Sequence, residues 1–217
     1  MIIEDLGIID YVAAEELQRQ RLEGVLAGTG PETLFILEHP PVVTLGLRGG
    51  AENLHVSEEY LRQHGIALVH CDRGGNITCH YPGQLVAYPI FKIQAKTGGI
   101  HRLFWCMEET VIRTAAHFGV VAERAEGRPG VWVGPRKLCS IGMGVKRGVT
   151  WHGLSMNVSK DTGLFDIITL CGLRGASATS LEKETGRDIS MEEVKHVFRN
   201  AFRTIFADSG LVAGEIA

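Results

Sequence analysis

Residues 72–90, DRGGNITCHYPGQLVAYPI, contain two apolar runs that predict two β-strands, the first ending at His80 and the second beginning at Gln84. The Pro82-Gly83 dipeptide between them suits the centre of a type II turn, because proline presets φ and glycine accepts a positive φ. The stretch also carries an arginine, two further glycines, a cysteine and a histidine, which the packing of two strands does not require. Polar residues at strand ends commonly line pockets, so this stretch indicates a functional site.

The segment Arg73-Gly74-Gly75 at the start of this stretch has two interpretations. Gly-Gly is a common hairpin dipeptide, so the segment can be a simple turn between strands. Glycine also lets a ligand approach the backbone closely, so the segment can instead form part of a binding loop. Taken alone it favours the turn, and the polar residues His80–Gln84 that follow favour the pocket.

Strands are expected on both sides of this stretch. Apolar and β-branched runs predict them at TLFILE (33–38), VVTLG (42–46), IALVHC (66–71), VVAER (120–124), GVWVG (130–134), KLCSIGMGVK (137–146) and VTWHGLSMNV (149–158). These strands follow one another in runs instead of alternating strictly with helices. The predicted fold class is therefore α+β, with a mixed, largely antiparallel sheet packed by helices.

Four helices are expected around these strands. Asp10 can cap the first, over 11–28, with an apolar stripe of Val12, Leu17, Leu22, Val25 and Leu26. The other three are a short helix after Ser57 that ends at Gly65, a long helix over 99–118, and a last helix over 190–206. Ser190 and Glu193 have the spacing of a capping box for the last helix.

The bulk composition favours one ordinary globular domain. The chain has 217 residues, of which 45% are hydrophobic and 22% charged, with a formal net charge of −3. This charge gives no support to nucleic acid as the main partner. No apolar run approaches the roughly 20 residues of a membrane span, and residues 1–11 lack the features of a secretory signal. We expect a cytoplasmic protein with a single domain over 1–217 and neither a nucleic-acid nor a membrane partner.

The cysteines and histidines exclude some chemistries and suggest another. The five cysteines are scattered, so no disulfide is expected in a reducing compartment, and the histidines lack HxxxH or HExxH spacing, so no metal site is expected. Cys171, next to Gly172 in a segment of small residues, differs from the buried cysteine that is the usual case. A neighbouring ammonium activates a thiol by lowering its pKa. Lys137 is a candidate for that role, although a lysine at a strand entry can equally be a solvated charge.

A second glycine-rich stretch, RKLCSIGMGVKRGVTWHGLSMNVS (136–159), predicts an unusual strand face. Apolar residues of the strand alternate with Gly142 and Gly144, so one of its faces has no side chains there. Either another element packs tightly into that groove or a slender apolar ligand lies in it. Gly153, on the following strand, adds a further glycine among polar neighbours.

Together these stretches resemble the lipoyl(octanoyl) transferase family. RGGNITCHYPGQ (73–84) resembles its motif R-G-G-x-x-T-x-H-G-P-G-Q, and KLCSIG (137–142) resembles K-[IL]-x-S-I-G. The family's His-Gly and Asn appear as His152-Gly153 and Asn157, and its Cys-Gly as Cys171-Gly172, followed by Thr179-Ser180-Leu181. EHPPVVTLG (38–46) matches its amino-terminal part. The ordered set spans most of the chain, which makes the resemblance specific.

The resemblance implies the catalytic-domain fold of biotin and lipoate protein ligases. It also implies transfer of an octanoyl group from octanoyl-acyl carrier protein to a lysine of lipoyl domains, such as those of 2-oxoacid dehydrogenase E2 subunits, or of the glycine cleavage H protein. Cys171 and Lys137 would be the catalytic dyad, and neither a cofactor nor a metal is implied. The implied substrate-binding residues are Arg73, Gly74, Gly75, Asn76, Ile77, Thr78, Cys79, His80, Ser140, Ile141, Gly142, Gly153, Leu154 and Ser155.

Three positions depart from the family pattern. Tyr81 stands where the family usually has glycine, so its side chain either narrows the pocket or points away from it. Cys79 stands where an aromatic residue is usual, and Cys139 where alanine is usual. We interpret both cysteines as structural and not as nucleophiles.

Two other functions compete with this interpretation. An ATP-dependent lipoate or biotin ligase would share the fold, but no persuasive nucleotide-binding lysine motif is present. A non-catalytic protein that only binds lipoyl domains or carrier protein would need neither Lys137 nor Cys171. The basic residues Arg136, Lys137, Lys146 and Arg147 are either solvated strand ends or a docking cluster for an acidic carrier protein.

Overall fold

A computed structural model describes residues 1–93, 98–170, 176–212 and 216 of the chain. Its strands are β1 (Ile2–Ile8), β2 (Thr33–Glu38), β3 (Val42–Leu45), β4 (Ala67–His70), β5 (Ile77–His80), β6 (Gln84–Ile90), β7 (Glu123–Ala125), β8 (Arg128–Val133), β9 (Arg136–Lys146), β10 (Val149–Asn157) and β11 (Ser177–Ala178). Its helices are α1 (Tyr11–Ala27), α2 (Glu58–Gln63), α3 (Gly99–His117), α4 (Leu181–Thr185) and α5 (Met191–Ser209).

The main sheet has the strand order β1-β2-β6-β10-β9-β8-β7, with β11 added alongside β9. The pairs along its centre are antiparallel, whereas β1 pairs with β2 and β11 with β9 in parallel. This arrangement confirms the predicted mixed, largely antiparallel sheet. The sequence interpretation did not assign β1 or β11.

A smaller sheet, with the order β4-β3-β5, packs beside the main one. The two strands of the stretch 72–90 therefore belong to different sheets, because β5 pairs with β3 and β6 pairs with β2 and β10. The predicted turn is present between them, and Gly83 has a φ of 96°. The Gly83 N–H donates to the Glu38 carboxylate at 2.7 Å, which anchors the crossing from one sheet to the other.

The segment Arg73-Gly74-Gly75 is a crossing loop and not a hairpin turn. It connects β4 to β5, which lie on opposite sides of β3 and do not pair with each other. Its Gly74 N–H donates to the carbonyl of Met143 in β9 at 3.1 Å. The loop thus bridges the small sheet to the main sheet.

Helices α3 and α5 cover one face of the main sheet. Both present a clear apolar stripe, and α3 ends where Gly119, with a φ of 81°, stops it as predicted. In α5 the rings of Phe202 and Phe206 stack at 3.9 Å between centroids, and Phe206 meets Phe91 edge-on. All three rings are fully buried, so truncating Phe202 to alanine would cost about 3–5 kcal/mol of stability.

Helix α1 covers the opposite face of the main sheet with an unexpected set of residues. Asp10 caps it as predicted, accepting from two N–H groups of the first turn. The buried side chains are Tyr11, Ala14, Gln18 and Leu22, whereas 56% of Val12, part of the predicted stripe, is exposed. Two of these buried residues are polar, which is why hydrophobicity alone did not identify this face.

The ends of the other helices partly match expectation. Ser57 caps α2 through its hydroxyl, which accepts from the Tyr60 N–H at 3.2 Å. Helix α5 also begins directly after Ser190, but the Ser190 hydroxyl makes no cap hydrogen bond. The capping box predicted there is therefore wrong, although the helix itself is present.

Candidate active site

A pocket lies between the main sheet and the crossing loop of the small sheet. The predicted substrate-binding residues line this pocket, with the exception of Cys79, and Tyr11, Tyr88 and His152 line it as well. The predicted residues that line it are Arg73, Gly74, Gly75, Asn76, Ile77, Thr78, His80, Ser140, Ile141, Gly142, Gly153, Leu154 and Ser155. Three segments that are far apart in the sequence therefore meet at one place.

The main-sheet wall of the pocket consists of β9 and β10 in unbroken register. Ser155 pairs with Ser140 and Gly153 with Gly142, and residues paired across strands share one face. A Cβ at position 142 would lie 2.7 Å from the Gly74 carbonyl oxygen, and one at position 153 would lie 2.0 Å from the Ala87 carbonyl oxygen. Both positions therefore need glycine because backbone approaches them closely.

The strand face that carries Gly142 and Gly144 is filled by the protein itself at both glycines. A Cβ at position 144 would lie 2.1 Å from the indole nitrogen of Trp151. Gly142 meets the crossing loop and also lines the pocket. Of the two interpretations of this groove, tight packing is right at Gly144, and at Gly142 packing and pocket lining occur together.

Arg73 places a buried cation on the wall opposite β9 and β10. Only 6% of it is exposed, and its guanidinium donates to the Thr44 hydroxyl at 2.8 and 3.0 Å and to the Thr44 carbonyl at 2.7 Å. Among the described residues it makes no ion pair with a carboxylate. A buried cation without a counterion favours binding of a group with a partial or full negative charge.

Cys79 is the one predicted substrate residue that the structure removes from the pocket. Side chains alternate along β5, so Thr78 and His80 face the pocket, while Cys79 is buried in the apolar cluster of the small sheet with Val43 and Leu61. The family motif assigns residues 73–80 to the substrate site as one continuous segment. In a strand, however, neighbouring side chains point to opposite faces, so the segment is divided between them. The interpretation of Cys79 as a structural residue agrees with this placement.

Buried aromatic and imidazole rings form a cluster at the pocket: Tyr11, His80, Tyr88 and His152 line it, and His39 packs against the first three. The Nδ1–H of His39 donates to the Ile9 carbonyl at 2.7 Å, and the Tyr88 hydroxyl donates to its Nε2 at 2.8 Å. Burial lowers the pKa of His39 to about 4. Its ring is therefore neutral at physiological pH.

His152 is the most unusual member of this ring cluster. Its backbone has a φ of 54°, a conformation that costs a non-glycine residue energy, and its N–H donates to the Gln18 side chain at 2.7 Å. Only 1% of it is exposed, and within the described part of the chain neither ring nitrogen has a hydrogen-bond partner. Burial and the nearby Arg73 guanidinium lower the pKa of His152 to about 3. The hydroxyl of Thr78, which lines the same pocket, likewise has no partner among the described residues.

Sequence reasoning missed Tyr11 and Tyr88 as pocket residues and did not list His152. Tyr11 is the first residue of α1, and Tyr88 lies in the middle of β6. A buried tyrosine usually needs a polar partner for its hydroxyl, and this requirement was the local signal that Tyr11 and Tyr88 could lie near polar groups. His152 precedes Gly153 directly, so its neighbourhood in the motif was the available signal.

Lys137 lies at the start of β9, three residues before the pocket-lining Ser140. It is buried, with 4% exposed, and its Nζ lies 5.2 Å from the centroid of the Trp132 ring. Its backbone pairs with Ala178 of β11, the strand that follows residue 171 in the chain. Cys171 itself lies outside the described residues, so the expected contact between Cys171 and Lys137 stays a prediction.

The other cysteines described do not compete as nucleophiles. Cys71, Cys79, Cys106 and Cys139 are all buried, and none of them forms a disulfide with another described residue. Burial raises the pKa of the Cys139 thiol above its usual range, despite the nearby Lys137. A buried neutral thiol is unreactive, so the interpretation of Cys139 as structural agrees with its environment.

The predicted basic docking cluster is not a single surface. Arg136 binds both oxygens of the Glu184 carboxylate at 2.8 Å, and Lys146 pairs with Glu23 at 2.7 Å. The two pairs lie at opposite ends of β9, about 30 Å apart at about 3.3 Å per residue. Lys137 is itself buried, so the interpretation as solvated strand ends does not hold for all four residues either.

Membrane-spanning helices and metal-binding clusters are both absent from the described part of the chain. None of its helices is both long and apolar enough to cross a membrane. No group of three or more histidine, cysteine, aspartate or glutamate side chains there is arranged to hold a metal ion.

Comparison with known proteins identifies the family of this chain. Residues 10–203 match the model of the lipoyl protein ligase A/B catalytic domain. The chain belongs to this family.

Curated relatives narrow the family to one branch. The chain is 60% identical over 209 residues to an octanoyltransferase of Maridesulfovibrio salexigens, covering 96% of this chain and 98% of that protein. It is 57% identical over 218 residues to an octanoyltransferase of Nitratidesulfovibrio vulgaris strain Miyazaki F, covering both chains completely. The predicted resemblance to lipoyl(octanoyl) transferases is thus confirmed.

A solved structure confirms the predicted fold. A lipoate-protein ligase A bound with ATP superposes with a TM-score of 0.71 over 95% of this chain and 84% of that chain. The sequence identity is only 16%, so this likeness concerns the fold alone.

Proposed function

We propose that this protein transfers an octanoyl group from a carrier-protein thioester to a lysine of a lipoyl domain, through a thioester on Cys171. The observation that carries the proposal is the meeting of the family's motif segments at one pocket, in a chain 57–60% identical to full-length octanoyltransferases. This transfer is a step of protein lipoylation, in agreement with the lipoyl protein ligase family to which the chain belongs. The protein is an acyltransferase that needs no cofactor for this step.

In the first half-reaction the Cys171 thiolate attacks the carbonyl carbon of the octanoyl thioester. A new carbon–sulfur bond forms, the bond to the carrier sulfur breaks, and the carrier leaves as a thiolate that takes a proton from the Lys137 ammonium, which leaves Lys137 neutral in the acyl-enzyme. The Lys137 ammonium stabilises the attacking thiolate. The exchange of one thioester for another is close to isoenergetic, so no ATP is required.

In the second half-reaction the acceptor lysine attacks the acyl-enzyme. An amide bond forms, the bond to Cys171 breaks, and the thiolate is regenerated. Lys137 acts as the base that takes the proton from the incoming amine. Formation of an amide from a thioester is downhill, which makes the overall transfer irreversible in practice.

The two walls of the pocket have different parts in binding. The wall of β9 and β10 admits close backbone approach at Gly142 and Gly153 and lines the pocket with Ile141 and Leu154, whose apolar side chains suit an acyl chain. Each buried methylene of that chain contributes about 0.8 kcal/mol. The opposite wall offers donors from Arg73 and Thr78 that suit the thioester carbonyl oxygen. Such donors stabilise the negative charge that develops on this oxygen during attack.

The closest competing function is an ATP-dependent ligase of the same fold. The full-length relatives do not favour it, and the ligase structure at 16% identity carries no information on activity. A non-catalytic binder is likewise not favoured by these relatives.

A transfer assay separates these functions. Octanoyl-carrier protein and an unmodified lipoyl domain are mixed with enzyme and without ATP, and the mass of the lipoyl domain is measured. We expect octanoylation of one lysine with the wild type and none with Cys171→Ser. Transfer only when octanoate and ATP are supplied would establish a ligase instead.

A further inference from the structure

Two buried side-chain amides, those of Gln84 and Asn157, form a hydrogen-bonded pair behind the pocket. Gln84 is fully buried and 3% of Asn157 is exposed. The Gln84 amide nitrogen donates to the Asn157 oxygen at 2.9 Å, and the Asn157 nitrogen donates to the Thr179 carbonyl at 2.8 Å. The Thr179 N–H donates in turn to the carbonyl of Lys137 at 2.9 Å. The amide pair therefore reaches the backbone of Lys137 through a single residue.

At its other end the amide pair holds a residue of the pocket wall. The Gln84 nitrogen is committed to acceptors, since it also meets the Cys79 carbonyl at 3.3 Å. The Gln84 oxygen must therefore accept, and it does so from Nδ1 of His80 at 2.7 Å. A continuous line of hydrogen bonds thus runs from a pocket-lining ring to the strand that carries Lys137.

The same line of hydrogen bonds holds the chain that follows residue 171. Residues 177 and 178 form β11, which lies parallel to β9 and pairs Ala178 with Lys137. The Thr179 carbonyl, directly after this strand, is the acceptor of the Asn157 amide. Asn157 therefore fixes β11 against the Lys137 end of β9.

The chain that precedes residue 171 is held by a different part of the molecule. The Thr169 N–H donates to the Asn53 carbonyl at 2.8 Å, and the Thr169 hydroxyl meets the His55 ring at 2.8 Å. Leu170 is buried in the apolar cluster of the small sheet. The two described flanks of residue 171 are therefore anchored separately, one on the small sheet and the other beside Lys137.

We propose that Asn157, held by Gln84, is a positioning residue that sets where Lys137 and β11 stand relative to the pocket wall. The proposal rests on the proposed function of Lys137 and Cys171. Neither amide lines the pocket, so the pair acts through the backbone it holds and not on the substrate. Removing one amide leaves buried partners unsatisfied, and a displacement of about 1 Å at a reacting group can cost about 100-fold in rate.

The strand β10 offers a matched control for a test of this role. Asn157→Leu replaces the amide with an apolar group of similar shape. Thr150→Val does the same at the other end of β10, where the fully buried hydroxyl donates to the Pro89 carbonyl at 2.7 Å and accepts from the Phe91 N–H at 3.1 Å. Both variants lose buried hydrogen bonds, but only the first loses those that hold β11.

Two quantities are measured on the full-length variants. The temperature is chosen so that the same fraction of each variant is folded. The first is the single-turnover rate of octanoyl transfer, with the KM for octanoyl-carrier protein. The second is the pH profile of Cys171 alkylation by iodoacetamide, located by peptide mass spectrometry. We expect Asn157→Leu to slow transfer about 10- to 100-fold with KM within about twofold of wild type. The alkylation midpoint should move up towards about 8.5, the value of a free thiol, while Thr150→Val stays close to wild type.

Equal losses of rate in the two variants, or an unmoved alkylation midpoint in Asn157→Leu, would overturn the positioning role. If Asn157→Leu does not fold, Asn157→Asp takes its place, because it keeps the acceptor of the Gln84 amide and lacks the donor to the Thr179 carbonyl. The alkylation profile requires no acyl transfer. It therefore separates a failure of this inference from a failure of the proposed function, which would appear as a wild type that transfers nothing.

Discussion

The two walls of the pocket are built in different ways. One wall comes from β9 and β10, paired in unbroken register, and presents glycine and serine. The other comes from the crossing loop and β5, and presents Arg73, Thr78 and His80. The first wall provides close backbone contact and the apolar residues Ile141 and Leu154, and the second provides polar groups. Substitutions on the two walls should therefore have different effects on transfer. The largest effect is expected for Lys137, which lies at the start of β9 and has the proposed catalytic role.

Lys137→Met tests whether the reaction depends on this end of β9. Methionine keeps the length and the buried apolar stem but removes the ammonium, so we expect a loss of about 1,000-fold in kcat/KM for octanoyl transfer. Lys146→Met is the matched control, since Lys146 lies on the same strand and pairs with Glu23 at the surface. Steady-state kinetics should show less than a twofold change for the control. Equal effects in the two variants would contradict the role of Lys137.

Gly75→Ala tests the crossing loop. Gly75 has a φ of 97°, and a Cβ there would lie 3.3 Å from the Arg73 guanidinium. Gly148→Ala is the control, with a φ of 82° and open space around its Cβ. Both substitutions should cost about 1–2 kcal/mol of stability. We expect only Gly75→Ala to lower kcat/KM, about 10- to 100-fold, since it alone disturbs the polar wall. Wild-type kinetics in Gly75→Ala would remove the loop from the site.

Acid should destabilise the folded protein through the buried histidines of the ring cluster at the pocket. Burial lowers the pKa of His39 to about 4 and that of His152 to about 3, whereas an unfolded histidine titrates near 6.5. The unfolded chain therefore binds more protons below about pH 6.5, so this stability is present above that pH and is lost as the pH falls. Between pH 7.5 and pH 5 the loss should be up to about 2 kcal/mol per histidine.

His39→Gln measures one histidine's share of this pH dependence. Glutamine can hydrogen-bond as the neutral ring does, but it cannot take up a proton. Urea unfolding at pH 7.5 and pH 5 should show a pH-dependent loss of stability about 2 kcal/mol smaller in the variant than in wild type. An identical loss in both proteins would mean that His39 is charged in the folded state or does not contribute.

Tyr81 should have the smallest effect on catalysis. Its side chain lies in the apolar cluster of the small sheet, with its ring edge-on to Phe165 at 6.0 Å, and not in the pocket. Its hydroxyl donates to Asn157 at 3.4 Å, a long hydrogen bond. Tyr81→Phe should cost about 1 kcal/mol or less. The ratio of octanoyl to decanoyl transfer should stay within about twofold of wild type, and a larger shift would place Tyr81 in contact with the acyl chain.

The sequence predicted best what depends on neighbouring residues. The type II turn at Pro82-Gly83, the strand ends His80 and Gln84 and the cap at Asp10 follow from local conformational preferences, and all are present. The residue types that line the pocket followed from motifs matched to a family. Both kinds of signal lie within short stretches of the chain.

What the sequence could not predict depends on contacts between distant residues. Nothing in the sequences of β5 and β6 indicates that these strands pair in different sheets. Nothing near Tyr11 in the sequence indicates that it lines the pocket from the start of α1. In the sequence Lys146 is grouped with other basic residues, whereas in the fold it pairs with Glu23, which is distant in the sequence. Cys79 belongs to a motif that is continuous in sequence, whereas a strand divides its residues between two faces, and Cys79 lies in the apolar cluster of the small sheet.

The most direct test of the proposed function is the intact mass of the enzyme after mixing with octanoyl-carrier protein in the absence of ATP. We expect one octanoyl adduct on Cys171 that hydroxylamine removes and that passes to the lysine of an added lipoyl domain. The Lys137→Met variant should accumulate the adduct far more slowly. Transfer to the lipoyl domain without any adduct on Cys171, or no adduct unless ATP and octanoate are supplied, would contradict a cysteine-bound intermediate.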